Sequence, residues 1–390
     1  MPEENISDFT GLILVSGKDR VGITESLMGV LSPFSLKILD IEQLVIRDRF
    51  ILTVLFSLHP DHAESIRKDL ATFERNSELD IAIDFANHTN LDRAGETLLV
   101  VIVGREIKAA AVAAVASEIS QLNGCIRSIR RLETDTLSAL ELQLNISNEL
   151  IKQVRSRLAT VASSHSIDLA VELGGKARTS KRLVLMDMDS TFIQQEVIDL
   201  LARHSGHVEA VSSITQRAMR GEIDFKQALA QRVLLLKGQD VSIFDVVRKE
   251  LTLTTGVEKL ISQLHRNGHK VGVVSGGFLD VIEPLLQSLK IDFYRANKLE
   301  INDNKLTGRL LEPVIDGHAK LIALEDFALK YGIELKHTIA IGDGANDIEM
   351  IQAAGLGIAF RAKPKVQAAA DTTLNYEDLS SVLLLMGISG

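Results

Sequence analysis

The chain has little cysteine and no long hydrophobic run. Cys125 is the only cysteine among 390 residues, so no disulfide can form within the chain, and we expect a reducing compartment. No stretch approaches the ~18 uninterrupted apolar residues that a membrane-spanning helix needs. The first ten residues are polar and acidic, without the basic and then apolar pattern of a signal peptide. These absences predict a cytoplasmic protein without membrane spans.

The sequence also lacks an excess of positive charge. Its formal net charge is −9, which argues against nucleic acid or an anionic membrane as the main partner. Hydrophobic residues make up 46% and charged residues 24%, as in globular proteins, and the length suggests two or three domains. Such an acidic protein must bind phosphate through a few well-placed cations or a metal ion.

Two segments in the first half share one pattern, an apolar strand followed by a helix, two strands and a second helix. The pattern repeats at a spacing of roughly 86 residues, from Leu12 to Leu98. It predicts a duplicated small α+β domain, at 9–88 and 96–171. A polar, glycine-containing linker follows at 172–181.

The second half, 182–390, has a different order of predicted strands and helices. Short apolar strands alternate with helices, which is typical of a doubly wound parallel sheet in an α/β domain. About 80 mainly helical residues separate the first two strands, more than one crossover needs. We therefore expect a helical cap at about 193–265. The strands are predicted at Leu183–Met186, Lys270–Val274, Thr338–Ile341 and Leu356–Ala359.

Three of these strands run directly into acidic or glycine-rich motifs. The first ends in Asp187-Met-Asp-Ser-Thr191, the second in Ser275-Gly-Gly277 and the third in Gly342-Asp-Gly-Ala-Asn-Asp347. Ligands of open parallel sheets bind at the carboxyl ends of the strands. If the three strands are neighbours, their motifs therefore surround one spot.

This set of side chains suits phosphate chemistry. Asp187 and Asp343 offer carboxylates, and Asp189 a backbone carbonyl, to Mg²⁺, which prefers hard oxygen ligands. With the phosphate charge neutralised, a carboxylate can attack phosphorus and form an aspartyl-phosphate. Asp189 can protonate the leaving oxygen and later activate water. Ser275 and the glycines after it can donate to the phosphate, and Lys320 can offset negative charge in the transition state.

Each motif alone also has an ordinary interpretation. An Asp-x-Asp pair at a strand end can be a solvated turn or helix cap, and Ser-Gly-Gly a tight turn. Lys320 can be an exposed helix residue, and the Gly342–Asp347 motif a turn or a calcium loop. The catalytic interpretation is favoured because these motifs occur together, in this order, at or close behind the ends of apolar strands.

The four motifs resemble those of haloacid-dehalogenase-like (HAD-like) phosphatases, which have a Rossmann-like core. Over 183–375 the chain is similar to the phosphoserine phosphatases in particular. That resemblance implies hydrolysis of O-phosphoserine to serine and phosphate, the last step of serine biosynthesis, with Mg²⁺ as cofactor. Further segments that carry it are Arg217-Ala-Met-Arg-Gly-Glu-Ile-Asp-Phe225, Arg232-Val233, Val274-Ser-Gly-Gly-Phe278, Ala296-Asn-Lys-Leu-Glu300 and Leu306-Thr-Gly308.

The resemblance also implies a role for each site residue. Asp187 is the nucleophile and Asp189 the general acid and base. In the cap, Glu196 takes the substrate ammonium and Arg232 its carboxylate, for which a guanidinium offers a bidentate fork. Phe225 lies seven residues before Arg232, hence on the same face of one helix. The remaining implied roles are an apolar wall at Met219 and Phe225, phosphate binding at Ser275, Gly276, Lys320 and Asn346, metal binding at Asp187, Asp189 and Asp343, and support of the metal site by Asp347.

The first half resembles a pair of ACT domains, small ferredoxin-like modules that often sense amino acids. Asp19-Arg-Val-Gly-Ile23 is similar to the loop that receives a ligand in such domains, so Asp19 and Gly22 are candidate effector-binding residues, with serine as the effector. The second copy has Gly104-Arg-Glu-Ile107 there, shifted in position. Alternatively both copies serve only as dimerisation surfaces, and we expect a homodimer in either case.

Two other functions fit the same sequence. The phosphatase chemistry could act on phosphothreonine, phosphohomoserine or a phosphoprotein. The chain could also be an amino-acid-sensing regulator with a degenerate phosphatase domain, although Asp187, Asp189, Lys320 and Asp343 are all present.

Overall fold

A computed structural model of the protein describes residues 9–87, 97–133, 137–175, 178 and 180–388. The chain forms two compact units, Met1–Ala94 and Gly95–Gly390. None of the helices in these described segments combines the length and apolar character needed to cross a lipid bilayer.

The first unit is a four-stranded antiparallel sheet with strand order β2-β3-β1-β4 and two helices. Apolar and exposed side chains alternate along β1, as in a sheet with one covered face. The helices bury Leu27 and Ile66 in the core beneath that face. The elements are β1 (Phe9–Lys18), α1 (Ile23–Leu31), β2 (Lys37–Ile46), β3 (Arg49–Ser57), α2 (Ala63–Ser77) and β4 (Leu79–Asn87).

The second unit begins with the repeat of this arrangement, with strand order β6-β7-β5-β8. Each copy ends in a further strand that the repeat pattern did not include. Because β8 runs to Leu173, the linker begins after that residue rather than at 172; 176, 177 and 179 lie outside the described residues. The elements are β5 (Thr97–Gly104), α3 (Ala109–Gln121), β6 (Cys125–Glu133), β7 (Ser138–Asn145), α4 (Ile151–His165) and β8 (Asp168–Leu173).

The rest of the second unit is built on a seven-stranded sheet with strand order β12-β11-β10-β9-β13-β14-β15. β9 lies at its centre, parallel to β10 and β13. The register pairs Asp187 with Val274 and Met186 with Ile341, so the ends of β9 and β13 lie level with Val274 of β10. The strands are β9 (Leu183–Asp187), β10 (Lys270–Phe278), β11 (Phe293–Asn302), β12 (Lys305–Leu311), β13 (Thr338–Gly342), β14 (Leu356–Phe360) and β15 (Thr372–Leu374).

Ten helices of the described residues accompany this sheet, and four of them form the cap. A bridge between Ile193 and Leu253 marks the base of the cap. α9 buries an apolar face beside β10, so the cap ends near Leu253, short of the expected residue 265. The helices are α5 (Val197–Ser205), α6 (Val208–Met219), α7 (Phe225–Leu234), α8 (Ile243–Arg248), α9 (Val257–Arg266), α10 (Leu279–Ser288), α11 (Gly317–Tyr331), α12 (Ile348–Ala353), α13 (Pro364–Gln367) and α14 (Val382–Leu385).

Candidate active site

The chain turns sharply after β9 and places two carboxylates at the end of the sheet. The Met188 amide donates to Asp187 Oδ1 at 2.7 Å. Asp189 is extended and Ser190 takes a left-handed conformation with φ +57°, which reverses the chain toward α5. There the Val197 amide donates to Asp189 Oδ1 at 3.2 Å. Backbone amides thus fix the orientation of both side chains.

Lys320 lies between two carboxylates in the interior. Its Nζ is 2.6 Å from Asp187 Oδ1 and 2.7 Å from Asp347 Oδ1, and its side chain is fully buried. Burial by itself would lower the pKa of Lys320, but the two adjacent carboxylates outweigh it and raise that pKa. The residue is therefore a permanent cation beside the carboxylate of Asp187.

Three aspartates form a cluster that fits a divalent cation. Carboxylate oxygens of Asp187, Asp343 and Asp347 all lie within 4.8 Å of one another. Burial, reinforced by Asp347, raises the pKa of Asp187 well above its usual value and that of Asp343 to about 6. Thr191 Oγ1 donates to Asp343 Oδ1 at 2.9 Å. Buried carboxylates that lie this close together are costly to ionise. A hard cation such as Mg²⁺ prefers oxygen ligands and would stabilise their ionised form.

The glycine-rich end of β10 faces the same point. The Gly277 amide donates to Ser275 Oγ at 2.8 Å. A Cβ atom at Gly277 would lie 2.8 Å from Asp189 Oδ2, so a side chain there would displace that carboxylate. Buried Asn297 donates to the Gly276 carbonyl at 2.8 Å and accepts from the Ile315 amide at 2.7 Å. Asn297 thereby fixes the glycine loop relative to the segment that leads into α11.

The cap closes a cavity of about 660 Å³ over these residues. Phe225 lies over the glycine loop, because a Cβ atom at Gly276 would be 3.1 Å from Phe225 Cζ. Arg232, on the same face of α7, donates through Nε to the Ala228 carbonyl at 3.3 Å. Burial lowers the pKa of Arg232, and Glu196 opposes that effect. The cavity also contains Asp187, Asp189, Glu196, Asp199, Thr215, Gly276, Asp343, Asn346 and Lys363.

Glu196 faces the cavity from the start of α5 and has two effects. Its Oε1 accepts a hydrogen bond from Ser190 Oγ at 2.8 Å. Together with the larger effect of burial, it raises the pKa of Asp189 to about 8. Asp189 is therefore protonated near neutral pH, as a general acid must be at the start of a reaction.

These two pKa values predict a pH profile with two different limbs. Asp189 loses its proton as pH rises through about 8, so kcat should fall on the basic side. Asp343 is protonated below about 6, which would weaken the binding of a cation by the aspartate cluster, so kcat/KM should fall on the acid side. Raising Mg²⁺ should move only the acid limb to lower pH, because a metal ion in the aspartate cluster would compete with the proton for Asp343. Steady-state rates across pH at two Mg²⁺ concentrations measure this, and an acid limb independent of Mg²⁺ would contradict it.

Comparison with known proteins agrees with the domains predicted for both halves of the chain. Residues 184–352 match the family model of haloacid dehalogenase-like hydrolases, and residues 10–85 and 96–172 each match an ACT domain model. A phosphoserine phosphatase of Mycobacterium tuberculosis is 41% identical over 97% of this chain and 93% of its own. The phosphoserine phosphatase of Streptomyces coelicolor is 42% identical over 97% and 92%. This chain belongs to the phosphoserine phosphatase family.

Solved structures of the phosphoserine phosphatase family agree with this assignment. The crystal structure of a probable phosphoserine phosphatase from Vibrio cholerae, in unliganded form, has a TM-score of 0.59 and 33% identity. The match covers 77% of this chain and 88% of that one. The predicted HAD-like core with two preceding ACT-type domains is confirmed.

The structure brings most of the predicted site residues of this phosphoserine phosphatase family member together. Eight of them line the cavity, and Lys320 and Asp347 lie directly behind its aspartates. Ser275 is buried at the glycine loop. Met219 ends α6, and its side chain lies outside the part of the chain that the structure describes. The eight are Asp187, Asp189, Glu196, Phe225, Arg232, Gly276, Asp343 and Asn346.

Thr191, Asn297 and Lys363 are among the residues of the site to which sequence reasoning assigned no role. Thr191 orients Asp343, Asn297 orients the glycine loop, and Lys363 adds a cation at the cavity wall. Thr191 and Asn297 do occur inside quoted motifs, which was an available signal. For Lys363, a lone residue after β14, we find no signal in the sequence.

The candidate effector residues lie in the first unit. Gly22 has φ +92° at the start of α1, and a Cβ atom there would meet nothing within 4 Å. The Asp19 amide donates to the Asp48 carbonyl at 2.8 Å, and the Asp19 side chain is exposed. The loop therefore borders open space.

Proposed function

We propose that the protein hydrolyses O-phosphoserine to serine and phosphate through an aspartyl-phosphate on Asp187. The observation that carries the proposal is the contact of Lys320 Nζ with Asp187 Oδ1 at 2.6 Å, directly behind a cavity that Asp187, Glu196 and Arg232 line. The nucleophile, a buried cation and two groups of opposite charge for an amino-acid head thus occur in one site.

The chemistry divides into two steps. A carboxylate oxygen of Asp187 attacks phosphorus, and the bond to the serine oxygen breaks while Asp189 gives that oxygen its proton. Water then attacks the phosphorus of the aspartyl-phosphate and passes a proton to Asp189, which frees Asp187 and phosphate. Mg²⁺, held by Asp187, Asp343 and the Asp189 carbonyl, would neutralise phosphate charge. Lys320 stabilises the negative charge that remains.

Substrate choice comes from the cap. Glu196 binds the substrate ammonium, and the hydrogen bond from Ser190 holds its carboxylate in place. Arg232, partly desolvated on α7, binds the substrate carboxylate. Phe225 covers the glycine loop and would exclude water from the bound phosphate. A phosphate ester that lacks either charged group of the amino acid leaves one of these residues unpaired in the cavity.

A panel of substrates tests this assignment. Arg232→Met should raise KM for phosphoserine by about 10²-fold, because an interfacial charge pair loses one partner. The same change should leave phosphoethanolamine, which lacks the carboxylate, nearly unaffected. Glu196→Gln should lower the rate of phosphate release from phosphoserine more than that from 3-phosphooxypropionate, which lacks the amine. Phosphate release with Mg²⁺ measures each rate.

Arg203→Met is the matched control, because Arg203 is a cap arginine that is 62% exposed and pairs with Glu250 outside the cavity. Phosphothreonine, phosphohomoserine and a phosphopeptide belong in the same panel. Rates that are equal regardless of the amino and carboxyl groups would contradict recognition by Glu196 and Arg232. Faster release from the phosphopeptide would favour a phosphoprotein substrate.

Regulation by serine forms a second part of the proposal. The loop at Asp19 and Gly22 would receive serine, and the open space beside Gly22 supports this. Binding there would bias the enzyme between states of different activity. Steady-state kinetics on phosphoserine, with and without added serine, tests this part. A curve that serine leaves unchanged would count against it.

We also propose that the enzyme is a cytoplasmic homodimer. The edge strand β2 supports pairing with a second copy, because it exposes large apolar side chains along an unpaired edge, which monomeric proteins avoid. The single, exposed Cys125 supports a reducing compartment. The exposed large apolar side chains of β2 are Ile38, Leu39, Ile41, Leu44, Val45 and Ile46.

A further inference from the structure

Helix α7 forms one wall of the active-site cavity. Phe225, Ala228, Leu229 and Arg232 all face the cavity from this helix. The position of α7 therefore determines whether Phe225 covers the glycine loop. It also determines where the Arg232 guanidinium, which would bind the substrate carboxylate, lies in the cavity. The two ends of this helix are attached to the core in different ways.

Backbone hydrogen bonds fasten the chain just after the C-terminal end of α7. The Gly238 amide donates to the Leu306 carbonyl at 2.8 Å, and the Leu306 amide donates back to Gln239 at 2.9 Å. The Val241 amide donates to Asn304 at 3.0 Å. This end is thus joined to the hairpin of β11 and β12, as a short extension of the core sheet.

Among the described residues, the N-terminal end meets the core through Phe225, which packs on the glycine loop, and through an ion pair with an exposed lysine. Lys226 Nζ lies 3.0 Å from Asp316 Oδ2, with side-chain exposures of 63% and 21%. The other oxygen of Asp316 accepts from the Ala319 amide at 2.9 Å and so caps α11, the helix that bears Lys320. Burial alone would raise the pKa of Asp316, but the Ala319 amide and Lys226 lower it overall, so the carboxylate is charged.

The two attachments differ in strength and in reversibility. A ladder of backbone hydrogen bonds resists separation, whereas an ion pair with an exposed lysine is weak and screened by salt. When substrate enters or serine leaves, the N-terminal end of α7 is therefore the end that can separate from the core. Phe225, the neighbour of Lys226, would then move off the glycine loop.

We propose that the Lys226–Asp316 pair is a reversible latch, which holds the N-terminal end of α7 over the bound phosphate ester. Lys226 is then a positioning residue, acting through Phe225 and Arg232 on substrate binding. The latch rests on the proposed function only for the identity of the substrate, since any phosphate ester in this cavity lies beneath α7.

A double-mutant cycle tests the latch. Lys226→Gln and Asp316→Asn should each raise KM for phosphoserine by about two- to five-fold, the range of an exposed pair, with little change in kcat. The double variant should show no further increase, because the interaction is already lost. Lys226→Arg should restore KM to near the wild-type value. Asparagine keeps the side-chain oxygen that caps α11, so Asp316→Asn isolates the charge.

A readout without substrate separates this proposal from the proposed function. Amide hydrogen exchange in residues 225–234 should quicken in Lys226→Gln, and added salt should quicken it in the wild type but not in the variant. Lys249→Gln, an exposed cap lysine, is the matched control and should change neither exchange nor KM. Unchanged exchange and KM in Lys226→Gln, or additive effects in the cycle, would overturn the latch. A wild type inactive on phosphoserine would instead overturn the proposed function.

Discussion

Replacing Asp187 by asparagine should lower kcat for phosphoserine by at least about 10³-fold, since the variant loses the attacking carboxylate. The fold should survive, because asparagine has the same shape. Burial and the charge of Asp347 raise the pKa of Asp187, so its ionised form costs stability as pH rises above the value in the unfolded chain. Asparagine avoids that cost, although Lys320 loses one of its partners.

Two measurements check this expectation. Phosphate release gives the activity, and thermal unfolding in EDTA at neutral pH gives the stability, which should not collapse. Asp303→Asn is the matched control, because Asp303 is exposed in the hairpin turn and has φ +49°, which asparagine accepts. Near-wild-type activity in Asp187→Asn would exclude Asp187 as the nucleophile.

The second large effect is expected at Lys320. Lys320→Met removes the buried cation and leaves Asp187 and Asp347 facing each other without a counter-ion. Breaking a buried pair in this way costs roughly 3–5 kcal/mol of folding free energy. Activity should fall by about 10²- to 10³-fold with the loss of charge stabilisation at phosphate. The loss of stability should shrink at lower pH, because the raised pKa of Asp187 lets it take up a proton.

Chemical denaturation at two pH values in EDTA measures the stability of this variant. Lys330→Met provides the comparison, because Lys330 lies at the exposed end of the same helix α11. If both variants unfolded at the same denaturant concentration, Lys320 would not be the counter-ion of the two aspartates. If Lys320→Met kept full activity, its role at phosphate would be excluded.

Part of this site could be predicted from the sequence because it depends on strand ends. Asp187, Ser275 and Asp343 lie at or just beyond the apolar segments of their strands, and parallel strands bring their carboxyl ends to one edge. The seven-residue spacing of Phe225 and Arg232 likewise placed both on one face of α7. Local periodicity is enough for such predictions.

Contacts between distant segments were not accessible in the same way. Asn297 binds both Gly276 and Ile315, and Lys226 meets Asp316 across 90 positions of sequence. No local sequence pattern specifies which of two distant segments come into contact in the fold. The end of the cap was misjudged for a related reason: α9 has helical periodicity like the cap helices, and only its packing against β10 assigns it to the core.

The most direct test of the account is to trap the covalent intermediate. Rapid mixing with phosphoserine and Mg²⁺, an acid quench and borohydride reduction convert an aspartyl-phosphate into homoserine, which peptide mass spectrometry locates. The account predicts homoserine at position 187 in the wild type, and none when substrate is omitted. A trapped phosphoryl group on any other residue would contradict it, as would active turnover in which position 187 stays unmodified at every quench time.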